Sequence, residues 1–286
     1  MTEPAIAVLP YGRKLGRSLA PIPVSELIWP LGCPQRLQGA TVGDLSERDH
    51  LIVFPDTSVH FRLRRGTKAR ISLLMGEPAV IHRKHINLLR LTHRRFCRIL
   101  TFHQDLLDTL PNAVFLPLGT TWVPEWRELD TRKSLMCSLI ASAKRDSEGH
   151  RLRHAVADWA RESAQPIDIL GRGYIPFEAK AEGLAPYRYS IVIENVRERN
   201  YFSEKLIDAI LCDTVPIYWG CPNLSDFMPT EGIVECPSET EIRTAVAAMT
   251  EDDYAARVPA LRALQPVAES YCGYEERAAR ALRASL

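Results

Sequence analysis

Two groups of residues in this chain have the types and the spacing for chemistry. The first lies within residues 187–229. There the apolar run Tyr189-Ser-Ile-Val-Ile193 leads into Glu194 and Asn195, passes Arg197, Glu198, Arg199 and Asn200, and reaches Tyr201-Phe-Ser-Glu-Lys205. Leu206, Ile207, Ile210 and Leu211 then recur at helical spacing, and Ser203 is a good cap for that helix. The open backbone N–H groups and partial positive charge of a helix start suit a phosphate. Lys205 stands in the first turn, where the dipole favours acids, and a bound anion would account for it; a surface lysine is the plain alternative. The second group centres on Glu77. It is the one acid in residues 60–98, among eleven basic residues: Arg62, Arg64, Arg65, Lys68, Arg70, Arg83, Lys84, Arg90, Arg94, Arg95 and Arg98. A carboxylate just after a parallel strand sits where such sheets bind ligands and can deprotonate a hydroxyl. An ion pair with a nearby arginine is the alternative.

These residues need a scaffold, and the apolar pattern outlines one. Pro4, Pro10, Pro21, Pro23, Pro30 and Pro34 exclude long helices at the start and leave a loop-rich entry with short strands. Strands are predicted over 50–54, 69–75, 97–102 and 113–116, with helices over 83–95 and 104–109. Residues 120–131 break the pattern and read as a linker. A second series follows, with strands over 133–141, 167–170, 189–193 and 215–219, helices over 149–162 and 203–213, and a helical part over 238–286. Strands alternating with helices imply parallel sheets, so the fold class is α/β in two lobes.

The composition, 46% hydrophobic and 25% charged residues over 286 positions, is that of a globular protein and excludes a disordered or fibrous one. At roughly 150 residues per domain, two domains are expected. No apolar run approaches the roughly 20 residues that span a bilayer, and the first 20 residues lack the apolar core of a secretory signal, so a cytoplasmic location is expected. The seven cysteines are widely spaced, without a C-x-x-C pair, and are expected to be reduced thiols. His82, His85 and His93 lack an acid at ligand spacing, so no metal site is expected. Gly171-Arg-Gly173 reads as a turn. The basic segment 60–98 would attract a polyanion, such as acidic lipid, a phosphorylated acceptor or nucleic acid; a solvated helix face is the plain alternative.

Three strings carry a resemblance: Tyr-Arg-Tyr-Ser-Ile-Val-Ile-Glu-Asn from Tyr187, Tyr-Phe-Ser-Glu-Lys-Leu from Tyr201, and Val-Pro-Ile-Tyr-Trp-Gly-Cys-Pro from Val215. In that order and spacing they resemble the signature of glycosyltransferase family 10, the α-1,3/1,4-fucosyltransferases, bacterial members above all. The resemblance implies a GT-B fold, two Rossmann-like lobes with the active site in the cleft between them. Residues 1–125 would form the acceptor-side lobe and 132–286 the nucleotide-sugar donor lobe. It also implies GDP-fucose as co-substrate, no cofactor, and an inverting reaction in which basic side chains rather than a metal hold the diphosphate; the chain has no Asp-x-Asp.

Carried over position by position, Glu204 and Lys205 match the family's Glu-Lys pair, which contacts the donor's sugar and diphosphate. Glu194, Asn195 and Tyr201 join the donor set. The family's upstream helix arginine falls on Arg153, with Arg151 as its close rival and a solvent-facing arginine as the plain alternative. Leu73-Leu-Met-Gly-Glu77 is similar to the family's Gly-Glu pair, whose glutamate is its proposed general base. Where the family continues with polar residues and a Ser-Pro, this chain has Pro78-Ala-Val-Ile-His82, so acceptor recognition is expected to differ.

The implied reaction is a single displacement. A glycan hydroxyl deprotonated by Glu77 attacks the anomeric carbon while Arg153, Lys205 and the helix start stabilise departing GDP. Two other readings stand beside it: the same fold with a different nucleotide sugar, or a non-catalytic polyanion binder docking through residues 60–98. For the enzyme, that segment is expected to make peripheral contact with an anionic acceptor or the inner membrane face, and nucleic acid is not the expected partner.

Overall fold

The computed structural model describes residues 3–13, 15–62 and 66–286. Among them the strands are β1 (Ile6–Val8), β2 (His50–Val53), β3 (Arg70–Met75), β4 (Ile99–Thr101), β5 (Ala113–Phe115), β6 (Leu135–Ile140), β7 (Ile167–Leu170), β8 (Tyr187–Ile193), β9 (Val215–Trp219) and β10 (Val234–Glu235). The helices are α1 (Ala79–Thr92), α2 (Gln104–Thr109), α3 (Glu148–Glu162), α4 (Glu204–Leu211), α5 (Glu239–Ala247), α6 (Glu251–Ser270) and α7 (Tyr274–Ala284). The chain divides into two compact units, Met1–Leu118 with Tyr274–Leu286, and Gly119–Gly273.

In the first unit β1 to β5 lie side by side in chain order, all parallel. Side chains alternate between the two faces, and both faces are apolar. Ala7, Leu51, Val53, Leu73, Met75 and Ile99 pack with Leu89 of α1 and Leu106 of α2. Because β-crossovers are right-handed, a sheet built strictly in chain order places all its connections on one face and leaves the other bare. Here Ile6, Val8, Ile52, Leu74 and Leu100 on that other face are covered by Tyr274, Ala278, Ala279 and Leu282 of α7. Arg277 Nη1 donates to the Pro117 carbonyl at 3.0 Å and Arg98 Nε to Ser285 Oγ at 3.1 Å, which fixes the helix there.

The expected boundaries are therefore corrected at both ends. The first unit ends at Leu118 rather than at 125, and residues 274–286 return to it instead of closing a lobe over 132–286. Residues 120–131 lie within the second unit. The apolar stripe of α7 fixes its period, but nothing in a period says which sheet it covers.

The second unit has the strand order β10-β9-β8-β6-β7, again all parallel. From β6 the chain steps to one side for β7, then crosses to the other side for β8. The β6/β8 pair is thus a topological switch point, the place where open α/β sheets bind ligands. The β6-to-β7 crossover contains α3, but the β7-to-β8 crossover has only a short 3-10 turn at Lys180–Gly183. Helix α4 buries Leu206, Ile207, Ala209, Ile210 and Leu211 in the core with Ile191, Ile193 and Ile217.

Candidate functional site

At the switch point the ends of β6 and β8 and the starts of α3 and α4 surround a cavity of about 260 Å³. Its polar lining includes Ser142, Lys144, His150, Arg153, Lys180, Asn195, Glu204 and Lys205, and Trp122, Ile140 and Leu184 add apolar wall.

Helix α3 brings Arg153. Ser147 caps its start, accepting from the His150 N–H at 3.1 Å. The Gly149 N–H donates to the Asn195 carbonyl at 2.9 Å, and a Cβ at Gly149 would lie 1.7 Å from the Glu194 carbonyl oxygen. Only glycine lets the helix begin this close to the end of β8. Arg153, 5% exposed, donates through Nε and Nη2 to the Ile193 carbonyl at 3.0 and 2.5 Å, and through Nη2 to Asn195 Oδ1 at 3.1 Å. Burial lowers its pKa, against the pull of Glu194, Tyr201 and Glu204. Its hydrogen-bond partners are a carbonyl and an amide, and among the described residues it forms no ion pair. Arg151 is exposed and does not line the cavity.

Helix α4 brings Glu204 and Lys205. Fully buried Glu194 accepts from the Ser203 N–H at 2.8 Å and from Ser203 Oγ at 2.6 Å, which locks the cap residue. Lys205 Nζ donates to Ser203 Oγ and to Glu204 Oε1, both at 3.0 Å, and lies 3.6 Å from Glu194 Oε2. Burial works against the Lys205 charge, but Glu204 and Glu194 outweigh it and raise the pKa. The unfavourable place of this cation on the helix dipole is thus partly offset by the protein's own acids. Burial likewise opposes ionisation of Glu204, yet Lys205 and Lys180 hold its carboxyl at about 2.

Lys180 pairs with buried Asp208 at 2.7 Å and stands 5.0 Å from the centre of the Trp122 ring. Asp208 also accepts from Thr121 Oγ1 at 2.6 Å and from the Trp122 N–H at 3.1 Å, so a buried carboxylate fixes an exposed tryptophan at the cavity wall. With Lys144, Arg153, Lys180 and Lys205 against Glu204, the lining carries surplus positive charge and suits an anion with apolar parts.

Of the expected donor set, the structure gathers Arg153, Asn195, Glu204 and Lys205 at one cavity. Glu194 and Tyr201 are buried and do not line it. Tyr201 follows Asn200, whose left-handed backbone (φ 64°) is steadied by paired hydrogen bonds with Asn223, 2.9 Å each. Sequence reasoning passed over Trp122, Lys144, His150 and Lys180; Trp122, Lys144 and Lys180 come from irregular segments that carry no periodic signal.

Glu77 belongs to the first unit, half-buried just beyond the C-terminal end of β3. It reaches the Tyr11 and Tyr274 phenols electrostatically; burial raises both pKa values first, and Glu77 adds to the rise. Tyr274 approaches so closely that a Cβ at Gly76 would lie 2.6 Å from its hydroxyl. In the basic segment, Arg64 and Arg65 lie outside the described residues. His60 Nε2 and His85 Nδ1 are 2.9 Å apart in a packed group with His82 and His103. Among the described residues no three His, Cys, Asp or Glu side chains are grouped to hold a metal, and no helix is long and apolar enough to cross a membrane.

No family model matches the chain. In sequence it is 43% identical over 107 residues to the α-(1,3)-fucosyltransferase FucT of Helicobacter pylori, covering 36% of this chain and 21% of that protein. It is 35% identical over 52 residues to an α-(1,4)-fucosyltransferase of Arabidopsis thaliana, covering 18% and 13%. Over these stretches the chain is similar to fucosyltransferases. The matched stretches span about a fifth or less of those fucosyltransferases' length. Among solved structures, an α1,3-fucosyltransferase with GDP-fucose aligns with 90% of this chain and 82% of its own at a TM-score of 0.53 and 19% identity. TarM aligns with 83% and 55% at 0.54 and 12%. The fold is GT-B, as the fucosyltransferase resemblance implies.

Proposed function

We propose that the chain is an inverting glycosyltransferase that moves L-fucose from GDP-fucose to a hydroxyl of a glycan or glycoconjugate, in the cytoplasm and without a metal ion. The observation that carries this reading is the cationic cavity at the switch point of the second sheet. Arg153 and Lys205 hold the diphosphate, and the dipoles of α3 and α4, whose starts line the cavity, add to its stabilisation. Glu204, held ionised, accepts hydrogen bonds from sugar hydroxyls. Asn195 keeps Arg153 aimed, and Glu194 keeps Ser203 and Lys205 in place.

In the reaction Glu77 takes the proton of the acceptor hydroxyl. The acceptor oxygen bonds to the anomeric carbon as the bond to GDP breaks, and the leaving charge passes to a phosphate stabilised by Arg153 and Lys205. One displacement inverts the β-linked donor to an α-linked product. The basic segment 60–98 is the part that would bring the protein to an acidic surface carrying the acceptor.

Thermal unfolding with GDP, UDP, CDP and their sugar conjugates, with and without EDTA, tests the reading. GDP-fucose at 100 times its Kd should stabilise the chain by about 2.7 kcal/mol, with EDTA making no difference. Preference for another nucleotide sugar would keep the transferase and discard fucose. Silence across the panel would sink the catalytic reading.

A further inference from the structure

The first unit carries a second cationic surface that the transfer reaction does not use. At the N-terminal ends of its strands, Lys68, Arg70, Arg94, Arg95 and Arg98 line a concavity of about 510 Å³ in which Glu47 is the one acid. Arg70 opens β3 and Arg98 directly precedes β4, whereas Glu77 follows the other end of β3. The ion pairs within this unit, among the described residues, are Arg13 with Glu26, Arg36 with Asp49, Arg280 with Glu276, and Arg283 with Glu3. None of them takes a cation from the concavity.

The patch continues along α1, which contains no acid. While His82, Leu89 and Thr92 face the core, Val80, Lys84, Asn87 and Leu91 recur at helical spacing on the exposed side and lead into Arg94 and Arg95. Leu91 is 87% exposed and Val80 57%. Phe61, 60% exposed, stands beside Arg95, whose Nη1 donates to its carbonyl at 3.2 Å. Large apolar side chains standing out among uncompensated cations match what a headgroup layer takes up: phosphates meet the cations and the boundary region receives the apolar tips. A soluble anion or a nucleic-acid backbone would use the cations alone.

We propose that the outer face of α1 and the adjoining concavity dock on an acidic lipid bilayer. The proposal rests on charge and exposure in the first unit and not on fucosyl transfer, so either can fail alone. The test is cosedimentation of the full chain with phosphatidylglycerol-containing and pure phosphatidylcholine vesicles at low and raised salt, after matching each variant's unfolding temperature. Binding to acidic vesicles that weakens with salt is expected, with at least about fivefold loss for Arg94→Glu. Leu91→Asn should also weaken it, while Arg132→Glu, the same charge change on an exposed residue of the second unit, should leave it unchanged. Equal binding to neutral vesicles overturns the proposal. So does indifference to Arg94→Glu and Leu91→Asn, or preference for a DNA duplex or soluble polyphosphate over acidic vesicles at the same salt.

Discussion

In the second unit the cations converge: Arg153, Lys180 and Lys205 are drawn into a cavity and held by carbonyls, an amide and buried acids. In the first unit Lys68, Arg70 and Arg94 stand on the surface, outside that unit's ion pairs. The difference follows from solvation. Taking a charge out of water costs several kcal/mol unless partners replace the lost hydration, so a buried cation must be built into its surroundings. An exposed one needs no partner and acts as a field, screened beyond about 10 Å in ordinary salt. The inward arrangement can discriminate one anion from another by shape. The outward one can only favour negative surfaces over neutral ones.

The sharpest test of this division is the lone acid of the basic segment. If Glu77 is a chemical group and not charge balance for the cations around it, Glu77→Gln should lower turnover by about 10² to 10⁴-fold while GDP-fucose affinity, measured by calorimetry, stays within twofold. An equal loss of turnover and donor affinity would remove it as the base. Next in size is a double dissociation. Arg153→Met and Lys205→Met should each weaken GDP-fucose binding by about 10 to 100-fold, as for a lost hydrogen bond to a charged group, and leave vesicle binding untouched. Donor affinity unchanged in Lys205→Met would break the comparison.

Much of this division could be read from the amino-acid order, and the exceptions have physical causes. The bounds of β9 match the expectation because a strand buried on both faces of a parallel sheet shows as an unbroken apolar run between turns, and those of β7, an edge strand interrupted by Asp168, match it because the turn at Gly171 closes the run. Helix α1 begins at Ala79, ahead of the expected residue 83, because exposed Val80 and Ile81 blur its first turn. The choice between Arg151 and Arg153 was open from the motif alone, yet the spacing of Val156, Ala157 and Ala160 already places Arg153 on the buried face of α3. Lys180 and Trp122 carried no such mark. They reach the cavity from irregular segments, and their neighbours Asp208 and Thr121 are brought together only by tertiary packing. The destination of α7 was hidden for the same reason: a sequentially wound sheet needs a cover for its bare face, and which helix supplies it depends on the strand order.

The smallest effect near neutral pH, and the one that separates the units without any ligand, is on stability. In the first unit burial pushes His50 and His60 down to about 4 and His82 down to about 3; Arg70, His85 and His103 respectively add to the shift, and His85 is lowered as well. An unfolded histidine titrates near 6.5, so below about pH 6.5 the unfolded chain takes up protons that the folded unit refuses. Stability is therefore present above that value and lost as pH falls toward 4. In the second unit Glu204, at about 2 when folded against about 4.5 unfolded, contributes stability that survives until pH drops below about 4.5. Asp208, raised by burial, has the opposite sign and offsets part of that loss, and burial lowers His150. Hydrogen exchange resolved along the chain and corrected for intrinsic rates should show β2 and α1 losing protection between about pH 6 and 4.5 while β8 and α4 keep theirs. Simultaneous loss in both units, or earlier loss in β8 and α4, would mean that the buried histidines do not set the acid limit of the first unit.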